Sequence, residues 1–261
     1  MEVPVRALSG VLLLALLVSA IEAQPAHAQA AGSRDGGASE VLQSIYIPPL
    51  LSAPFTAAVH TQWIKPLPGG GTFTVVNERR IARDSRGRIY EERWLLVPKD
   101  SAIKSQMNVI QIADPNQHTL YNCFTLRQPR RCVLETFTEP VLAIYNPKAV
   151  TPGPMPGNTG FRTHEELGTQ TLAGVDTVGT KDTTTINAGV YGNDRPFLIT
   201  REFWFAASLG INLLSEITDP SFGKEIFTVT DVSLAEPDPS LYELPEGFEV
   251  ADHRKTAPPQ E

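Results

Sequence analysis

Residues 197–250 read FLITREFWFAASLGINLLSEITDPSFGKEIFTVTDVSLAEPDPSLYELPEGFEV, and this stretch decides the fold. It contains three strand-like runs that are joined by glycine and Asp-Pro turns and followed by a proline-punctuated tail. The apolar residues of the first two runs alternate with other residues: Phe197, Ile199, Phe203, Phe205, Ile211, Leu213 and Ile217. This period of two predicts antiparallel strands with one buried face.

The sequence upstream continues the same pattern. Residues 72–83 and 88–97 are strand-like runs on either side of Asp84-Ser85-Arg86-Gly87, a tight turn in which glycine supplies the positive φ. Few segments could hold a long amphipathic helix. The whole chain suggests about ten to twelve strands at regular spacing, which predicts a mainly β protein whose antiparallel sheet curls into a barrel, a half-barrel or a sandwich.

The N-terminal residues have the features of a secretory signal peptide. Arg6 precedes an apolar run whose length suits a signal peptide rather than a membrane span, and small residues after it offer cleavage sites. We predict a signal peptide over 1–28, a disordered linker over 29–40, a single β domain over 41–251 with a proline-rich insert at 139–159, and a flexible tail over 252–261. An uncleaved anchor is the alternative. The protein is thus expected to be periplasmic or secreted, with no transmembrane segment in the mature chain.

Charge and cysteine content narrow the possible partners and the compartment. The net charge of −7 and the pI of about 5.3 argue against nucleic acid as a partner, because phosphate neutralisation needs a basic surface. The two cysteines, Cys123 and Cys132, predict a disulfide in an exported chain. If they face each other across a hairpin, Tyr121 faces Leu134. A metal site would need two further ligands at matching spacing, and none is near in the sequence.

No sequence motif for catalysis or cofactor binding is present. The chain lacks the nucleophile elbow, the zinc-protease motif, the P-loop and the dinucleotide fingerprint. His164 precedes Glu165 and Glu166, a spacing that suggests an acid/base pair. We favour an exposed strand start there, because no third group is implied. The sequence therefore predicts no enzyme, no cofactor and no metal site.

A basic run allows two interpretations. Its arginines are interleaved with acidic residues: Arg79, Arg80, Arg83, Arg86, Arg88 and Arg93. One interpretation is an anion or lipid-headgroup site, since guanidinium groups bind phosphate with two hydrogen bonds. The other, which we favour, is a solvated face with cross-strand ion pairs.

The aromatic residues of the strands are the candidate ligand-binding residues. We select five that would line an apolar cavity if the curved sheet is open: Phe73, Tyr90, Trp94, Phe203 and Phe205. In a closed, filled core the same side chains would be ordinary packing residues. The sequence leaves both possibilities open.

Several motifs resemble a family of exported bacterial proteins of uncharacterised role. They are a glycine-rich strand pair at 174–180, the strand containing Trp204, the turn at 219–223 and the Leu-Pro-x-Gly-Phe ending at 244–248. More distantly, the chain is similar to the periplasmic lipoprotein-carrier superfamily of the LolA, LolB and RseB type. The resemblance implies an incomplete antiparallel half-barrel with a few short helices and an apolar concavity, which binds acyl chains or lipidated partners without covalent chemistry.

These observations lead to three functional hypotheses. The first is an exported protein that binds a hydrophobic ligand, such as a lipid or the acyl chain of a lipoprotein. The second is an envelope module with a filled core that recognises another protein. The third is a hydrolase, for which the sequence nominates no nucleophile, base or orienting group. We favour the first.

Overall fold

The computed structural model describes residues 45–138 and 150–254. In these ranges the strands are β1 (Phe55–Pro66), β2 (Thr72–Arg83), β3 (Ile89–Trp94), β4 (Val97–Pro98), β5 (Met107–Asp114), β6 (Thr119–Phe124), β7 (Arg131–Thr136), β8 (Gly153–Pro154), β9 (Gly160–Leu172), β10 (Val175–Ile186), β11 (Phe197–Ala206), β12 (Ile211–Asp219), β13 (Gly223–Ser233) and β14 (Glu249–Asp252). Short 3-10 helices occupy Pro156–Asn158 and Pro239–Tyr242. No helix in these two ranges is long and apolar enough to cross a membrane.

All fourteen strands belong to one curved sheet. Its order is β14-β7-β6-β5-β3-β2-β1-β13-β12-β11-β10-β9-β8, with β4 paired on β2. Among the strand pairs of the described residues, only β14–β7 is parallel. The sheet is not closed, since β14 and β8 are its two terminal strands. The predicted incomplete half-barrel with a few short helices is therefore confirmed, rather than the closed barrel or sandwich.

Parts of the predicted domain organisation lie outside the described residues. These are the signal peptide, the linker, residues 139–149 of the proline-rich insert and residues 255–261 of the tail. Within the rest of the insert, β8 and the first 3-10 helix are formed. Asp252, the first residue of the predicted tail, still belongs to β14.

The predicted disulfide hairpin is present in the structure. Cys123 of β6 and Cys132 of β7 are directly opposed and bonded, and Tyr121 faces Leu134 as the spacing required. Both cysteines are fully buried. The bond ties together two strands close to the edge at which β14 pairs with β7.

Removing this disulfide should weaken the fold measurably. The double replacement Cys123→Ala and Cys132→Ala is expected to lower the free energy of unfolding by about 2–3 kcal/mol, because the cross-link restricts a short loop of the unfolded chain. Urea unfolding of the variant and of the oxidised parent measures the difference. Labelling of both thiols in the native, unreduced protein would contradict the prediction that the bond forms.

One face of the sheet bears the larger apolar cluster, and we call it the inner face. Its least exposed members from the strands are Phe55, Val59, Ile81, Ala206, Ile211, Leu213, Phe227 and Val229. Ile45 and Ile47 of the N-terminal segment and Leu209 of the β11–β12 turn belong to the same cluster. They close the end of the inner face at which β1 begins. Each such side chain contributes roughly 1.5–3 kcal/mol by leaving water.

Arg83 holds these covering segments in place. It is fully buried, and its guanidinium donates to the carbonyl oxygens of Ala53 (3.0 and 2.7 Å), Pro48 (2.8 Å) and Leu209 (2.9 Å). Its Cζ lies 5.1 Å from the centre of the Phe55 ring. One side chain therefore satisfies three backbone acceptors that the sheet ladder leaves open.

The opposite face, which we call the outer face, carries a smaller cluster. Ala82, Tyr90 and Ile112 pack there with Tyr242 of the second 3-10 helix. The carboxylate of Asp238 caps that helix by accepting from the backbone N–H of Ser240. The C-terminal segment thus covers part of the outer face over β3 and β5.

Candidate ligand-binding site

A band of buried polar residues crosses the inner face. Directly paired residues of antiparallel strands point to the same face of the sheet. The strand register therefore shows which face each side chain is on. Val59 belongs to the inner cluster and pairs with Arg79, and Ile81 pairs with Glu91. We call the following set the polar belt: Thr61, Asn77, Arg79, Glu91, Arg93, Ser215 and Glu225. All of them are buried.

Part of the polar belt continues into a hydrogen-bond chain toward β7. The guanidinium of Arg93 donates from Nε to Oε1 of Gln111 at 2.8 Å, and Gln111 Nε2 donates to Asn122 Oδ1 at 2.6 Å. Asn122 Nδ2 then donates to Oε2 of the exposed Glu135 at 2.8 Å. Arg93 Nη2 also lies 3.6 Å from Glu91 Oε2. Arg93 and Glu91 therefore compensate each other's charge.

Arg79 is a buried cation of the polar belt that Glu91 attracts without a hydrogen bond between them. It is 3% exposed, and its Nε and Nη2 have no hydrogen-bond acceptor among residues 45–138 and 150–254. Burial lowers the pKa of Arg79 to about 10, against the opposing attraction of Glu91. The guanidinium still carries its charge at neutral pH. Buried charges without hydrogen bonds are costly, and Arg79 shares this state with Glu91, whose Oε2 is also buried without a hydrogen bond in the described residues.

The inner face also carries apolar side chains that belong to neither cluster and are interspersed with the polar belt, since Trp63 and Ile217 pair with Glu225. We call them the apolar rim: Trp63, Phe73, Ile199, Phe203 and Ile217. Phe73 is 44% exposed, and the other four are half-buried. The Trp63 indole N–H donates to the Phe222 carbonyl at 2.9 Å. The inner face is therefore tightly packed around the larger apolar cluster and carries partly exposed apolar side chains elsewhere.

The five aromatic residues predicted from the sequence do not share one surface. Phe73 and Phe203 lie in the apolar rim. Tyr90 is buried on the outer face beside Tyr242, and its hydroxyl donates to Glu92 Oε1 at 2.9 Å. Trp94 Nε1 donates to Glu92 Oε2 at 2.9 Å. Phe205 is half-buried next to a register shift and pairs with Val178, which is 45% exposed.

Trp94 borders a groove on the outer face. The groove has a volume of about 530 Å³, and its other lining residues include Glu78, Arg80, Glu92 and Asp231. Arg80 Nη2 and Glu92 Oε1 are 3.3 Å apart, so these two lining charges neutralise each other. Its mixed charged lining differs from the apolar rim.

The favoured interpretation of the basic run as a solvated face is wrong for three of its six arginines. Arg79, Arg83 and Arg93 are buried on the inner face, whereas Arg80 and Arg86 are exposed and paired with carboxylates. The period-two pattern of the strand could have predicted the burial of Arg79 and Arg83, because both lie two residues from the apolar Ile81 and therefore on the same face. The buried charges differ from the usual pattern, in which charged side chains face water.

His164 lies between two carboxylates instead of at a free strand start. Its Nδ1 is 2.6 Å from Asp182 Oδ1 and its Nε2 is 3.1 Å from Glu166 Oε1. Hydrogen bonds to Asp182 and then to Glu166 raise the pKa of His164 above 6.5. Arg201 of β11 pairs with Asp182 on its other side. His164, Asp182 and Glu166 therefore form an ion-pair network when the histidine is protonated.

The His164 network should make stability depend on pH. A raised folded-state pKa means that the ion pairs contribute fully below pH 6.5 and that this contribution is lost as pH rises through the folded pKa. His164→Gln is expected to cost about 1 kcal/mol or less at pH 5.5, and less at pH 8.5. Urea unfolding of both proteins at the two pH values tests this. A difference that is equal at both pH values would contradict it.

The described residues contain no group of three or more His, Cys, Asp or Glu side chains that could hold a metal ion.

No protein-family model matches the chain, and no curated protein sequence matches it.

Solved structures with a similar arrangement belong to bacterial proteins at low identity. The MucB chain in the Pseudomonas aeruginosa MucA/MucB complex is 14% identical, with 75% of this chain and 58% of that one covered and a TM-score of 0.33. The Mycobacterium tuberculosis lipoprotein LppX is 13% identical to this chain. The match covers 72% of this chain and 89% of LppX, with a TM-score of 0.33. A LolA superfamily protein from Nitrosomonas europaea is 8% identical to this chain. The match covers 74% of this chain and 91% of that protein, with a TM-score of 0.27.

This chain spans less than two thirds of the MucB chain. One of these structures is of the superfamily whose distant resemblance was predicted from the sequence.

Proposed function

We propose that this is an exported, non-enzymatic protein of the bacterial envelope that binds a hydrophobic ligand, such as a lipid or the acyl chain of a lipoprotein, on the inner face of its sheet. The observation that supports the proposal is the apolar rim. Its members lie on the same face as the core, yet Phe73 stays 44% exposed and none joins a core cluster. Apolar surface in a curved sheet is a place where an apolar ligand gains by leaving water.

The first experiment is native mass spectrometry of the protein purified from a periplasm without detergent or refolding. A ligand-binding protein should carry an additional mass that extracts into organic solvent. Phe203→Asp should remove this mass, because a carboxylate in the apolar rim disfavours an acyl chain. The matched control is Leu198→Asp on the same strand, where the side chain is 51% exposed on the outer face. A clean apo mass, unchanged after incubation with lipids, would refute the proposal.

The second candidate function is an envelope module that binds another protein. Its supporting observation is an exposed apolar pair on the outer face near the β8 edge. Phe161 and Leu198 both pair with Thr185 and are 47% and 51% exposed. Exposed apolar groups next to a strand edge favour contact with another chain. A mass measurement that finds no bound ligand would favour this second function.

A further inference from the structure

The connections between the strands form two groups, one at each end of the sheet. Successive connections of an antiparallel sheet alternate between its two ends. We call the end at which β1 stops, at Pro66, the loop end. Six connections within the described residues lie there: 67–71, 95–106, 125–130, 155–159, 187–196 and 220–222. The connections at the opposite end are 84–88, 115–118, 173–174 and 207–210.

The connections of the loop end present large apolar side chains to solvent. Five of the six contain one that is between 47% and 72% exposed: Leu67, Ile103, Leu126, Tyr191 and Phe222. The four connections named at the opposite end contain none. The residues exposed near that end belong to the segments before β1 and after β13: Leu50, Leu51 and Leu234. Single exposed apolar residues are ordinary, but one in nearly every loop of the same end indicates a contact surface.

The three central connections of the loop end are held next to one another. Lys99 donates its backbone N–H to the Thr74 carbonyl at 2.9 Å, which fixes the 95–106 connection against the start of β2. The 2.9 Å hydrogen bond from the Trp63 indole to the Phe222 carbonyl fixes the 220–222 connection against the end of β1. The exposed apolar residues of these connections therefore project from neighbouring parts of the sheet.

The loop end is positively charged on an acidic protein. Its six connections contain five cationic residues: Lys99, Lys104, Arg127, Arg130 and Arg195. They contain two acidic residues, Asp100 and Asp194, so their net charge is +3, whereas that of the whole chain is −7. Lys65 and Lys224 at the adjoining strand ends are engaged, the first over the Trp63 ring and the second with Glu216 at 2.7 Å. Positive loops match the negative surface of a bilayer that contains anionic lipid.

We propose that the loop end docks this protein onto the surface of an anionic lipid bilayer, with the exposed apolar side chains of its loops in the interfacial region and the cations at the lipid phosphates. Apolar residues distributed over separate loops suit a fluid lipid surface, whereas a protein interface has one contiguous packed core. Lysine and arginine reach headgroups while their stems cover apolar surface. Trp63 and Phe73 of the apolar rim adjoin this end. The inference goes beyond the proposed function, because docking does not require a bound ligand.

The test is flotation of the full protein with vesicles of equal parts phosphatidylcholine and phosphatidylglycerol, and with phosphatidylcholine alone. The wild type should float with the anionic vesicles and bind the neutral ones more weakly. Ile103→Asp and Phe222→Asp should each raise the lipid concentration for half-binding about tenfold or more, because an apolar side chain is lost and a repelled carboxylate is added. Lys104→Gln should raise it about fivefold on the anionic vesicles only. The two aspartate variants lie in different loops, so either one can give the result if the other does not fold.

The matched control is Leu234→Asp. Leu234 and Ile103 are both 60% exposed, but Leu234 follows β13 at the opposite end of the sheet. The control introduces the same charge and should bind anionic vesicles as the wild type does. A loss equal to that of Ile103→Asp would overturn the proposal, because it would be an effect of net charge alone.

Three further results would overturn the docking proposal. One is a wild type that does not float with anionic vesicles. Another is binding that disappears at about 0.5 M salt and is unaffected by Phe222→Asp, which would be surface electrostatics without insertion. The third is self-association through these loops, seen in sedimentation without vesicles as a wild-type dimer and a Phe222→Asp monomer.

The proposed function is tested separately by the native mass spectrum. Phe222→Asp should keep the additional mass of the wild type, because its loop lies outside the inner face. A wild type with a clean apo mass that still floats with anionic vesicles would contradict the proposed function and leave the docking surface standing. A loaded protein that does not float would contradict only the docking surface.

Discussion

Replacing Arg83 with alanine is expected to lower the free energy of unfolding by about 3–5 kcal/mol. The guanidinium is fully buried, and it is the donor to the carbonyl oxygens of Ala53, Pro48 and Leu209. Alanine would leave these acceptors without a partner and open a cavity beside Phe55. Each unsatisfied buried acceptor costs roughly 1–3 kcal/mol, so the total reaches the largest class of single-residue effects.

The control for this prediction is Arg86→Ala in the turn that follows. Arg86 is 66% exposed and its Nε lies 3.6 Å from Asp84, so its loss should change stability by less than about 0.5 kcal/mol. Arg83→Lys should give an intermediate loss, because an ammonium keeps the charge but cannot form the same fork of hydrogen bonds. Urea unfolding followed by tryptophan fluorescence measures all three. Equal stability of Arg83→Ala and the wild type would show that water replaces the guanidinium.

The hairpins could be predicted from the sequence because their determinants are local. The run at 72–83 coincides with β2, and Gly87 has the expected positive φ of 81° in the turn. Cys123 and Cys132 face each other across the hairpin, the arrangement that the predicted disulfide assumed. Period-two alternation and turn chemistry act over a few residues, so one sequence is enough to detect them.

The shortest strands could not be predicted. β4 and β8 have two residues each and β14 has four, which is too few for an alternating pattern. β14 pairs with β7 in parallel across more than a hundred residues of chain. Such pairing is decided by the tertiary structure and has no local signal.

The candidate site was only partly predictable for a related reason. Alternation assigns residues of one strand to the same face, but it does not relate the faces of different strands. Phe73 and Tyr90 could thus be grouped by residue type, although the register places them on opposite faces. On its own strand, Arg79 occupies one of the alternate positions that are buried. The prediction placed it in solvent because charged side chains generally face water.

Replacing Phe227 with alanine is expected to cost about 3–5 kcal/mol of unfolding free energy. Phe227 is fully buried in the inner cluster, next to Thr61 and Ser215 of the polar belt. Its removal leaves a cavity at the filled end of the inner face, where the strands and covering segments are packed together. Thermal and urea unfolding both report this loss, which should be independent of any added lipid.

The matched substitution is Phe203→Ala, two strands away in the same row. Phe203 pairs with Ser215 as Phe227 does, but it is only half-buried. It should therefore cost less than about 2 kcal/mol, because less apolar area leaves water when it folds. Lipid affinity should fall in this variant, since the ring belongs to the proposed binding surface. A loss as large as that of Phe227→Ala, without any change in lipid binding, would mean that the inner face is filled throughout.

The two substitutions together decide between the open and the filled interpretation of the sheet. If the core is filled, both phenylalanines are packing residues. The losses of unfolding free energy on their replacement with alanine should then differ only with the apolar area that each buries. A ligand site separates the two effects, because one residue stabilises the fold and the other stabilises the complex. Ser215 of the polar belt lies between them and pairs with both. The fully buried Phe227 packs in the larger cluster, whereas the half-buried Phe203 retains apolar area that the proposed ligand would cover.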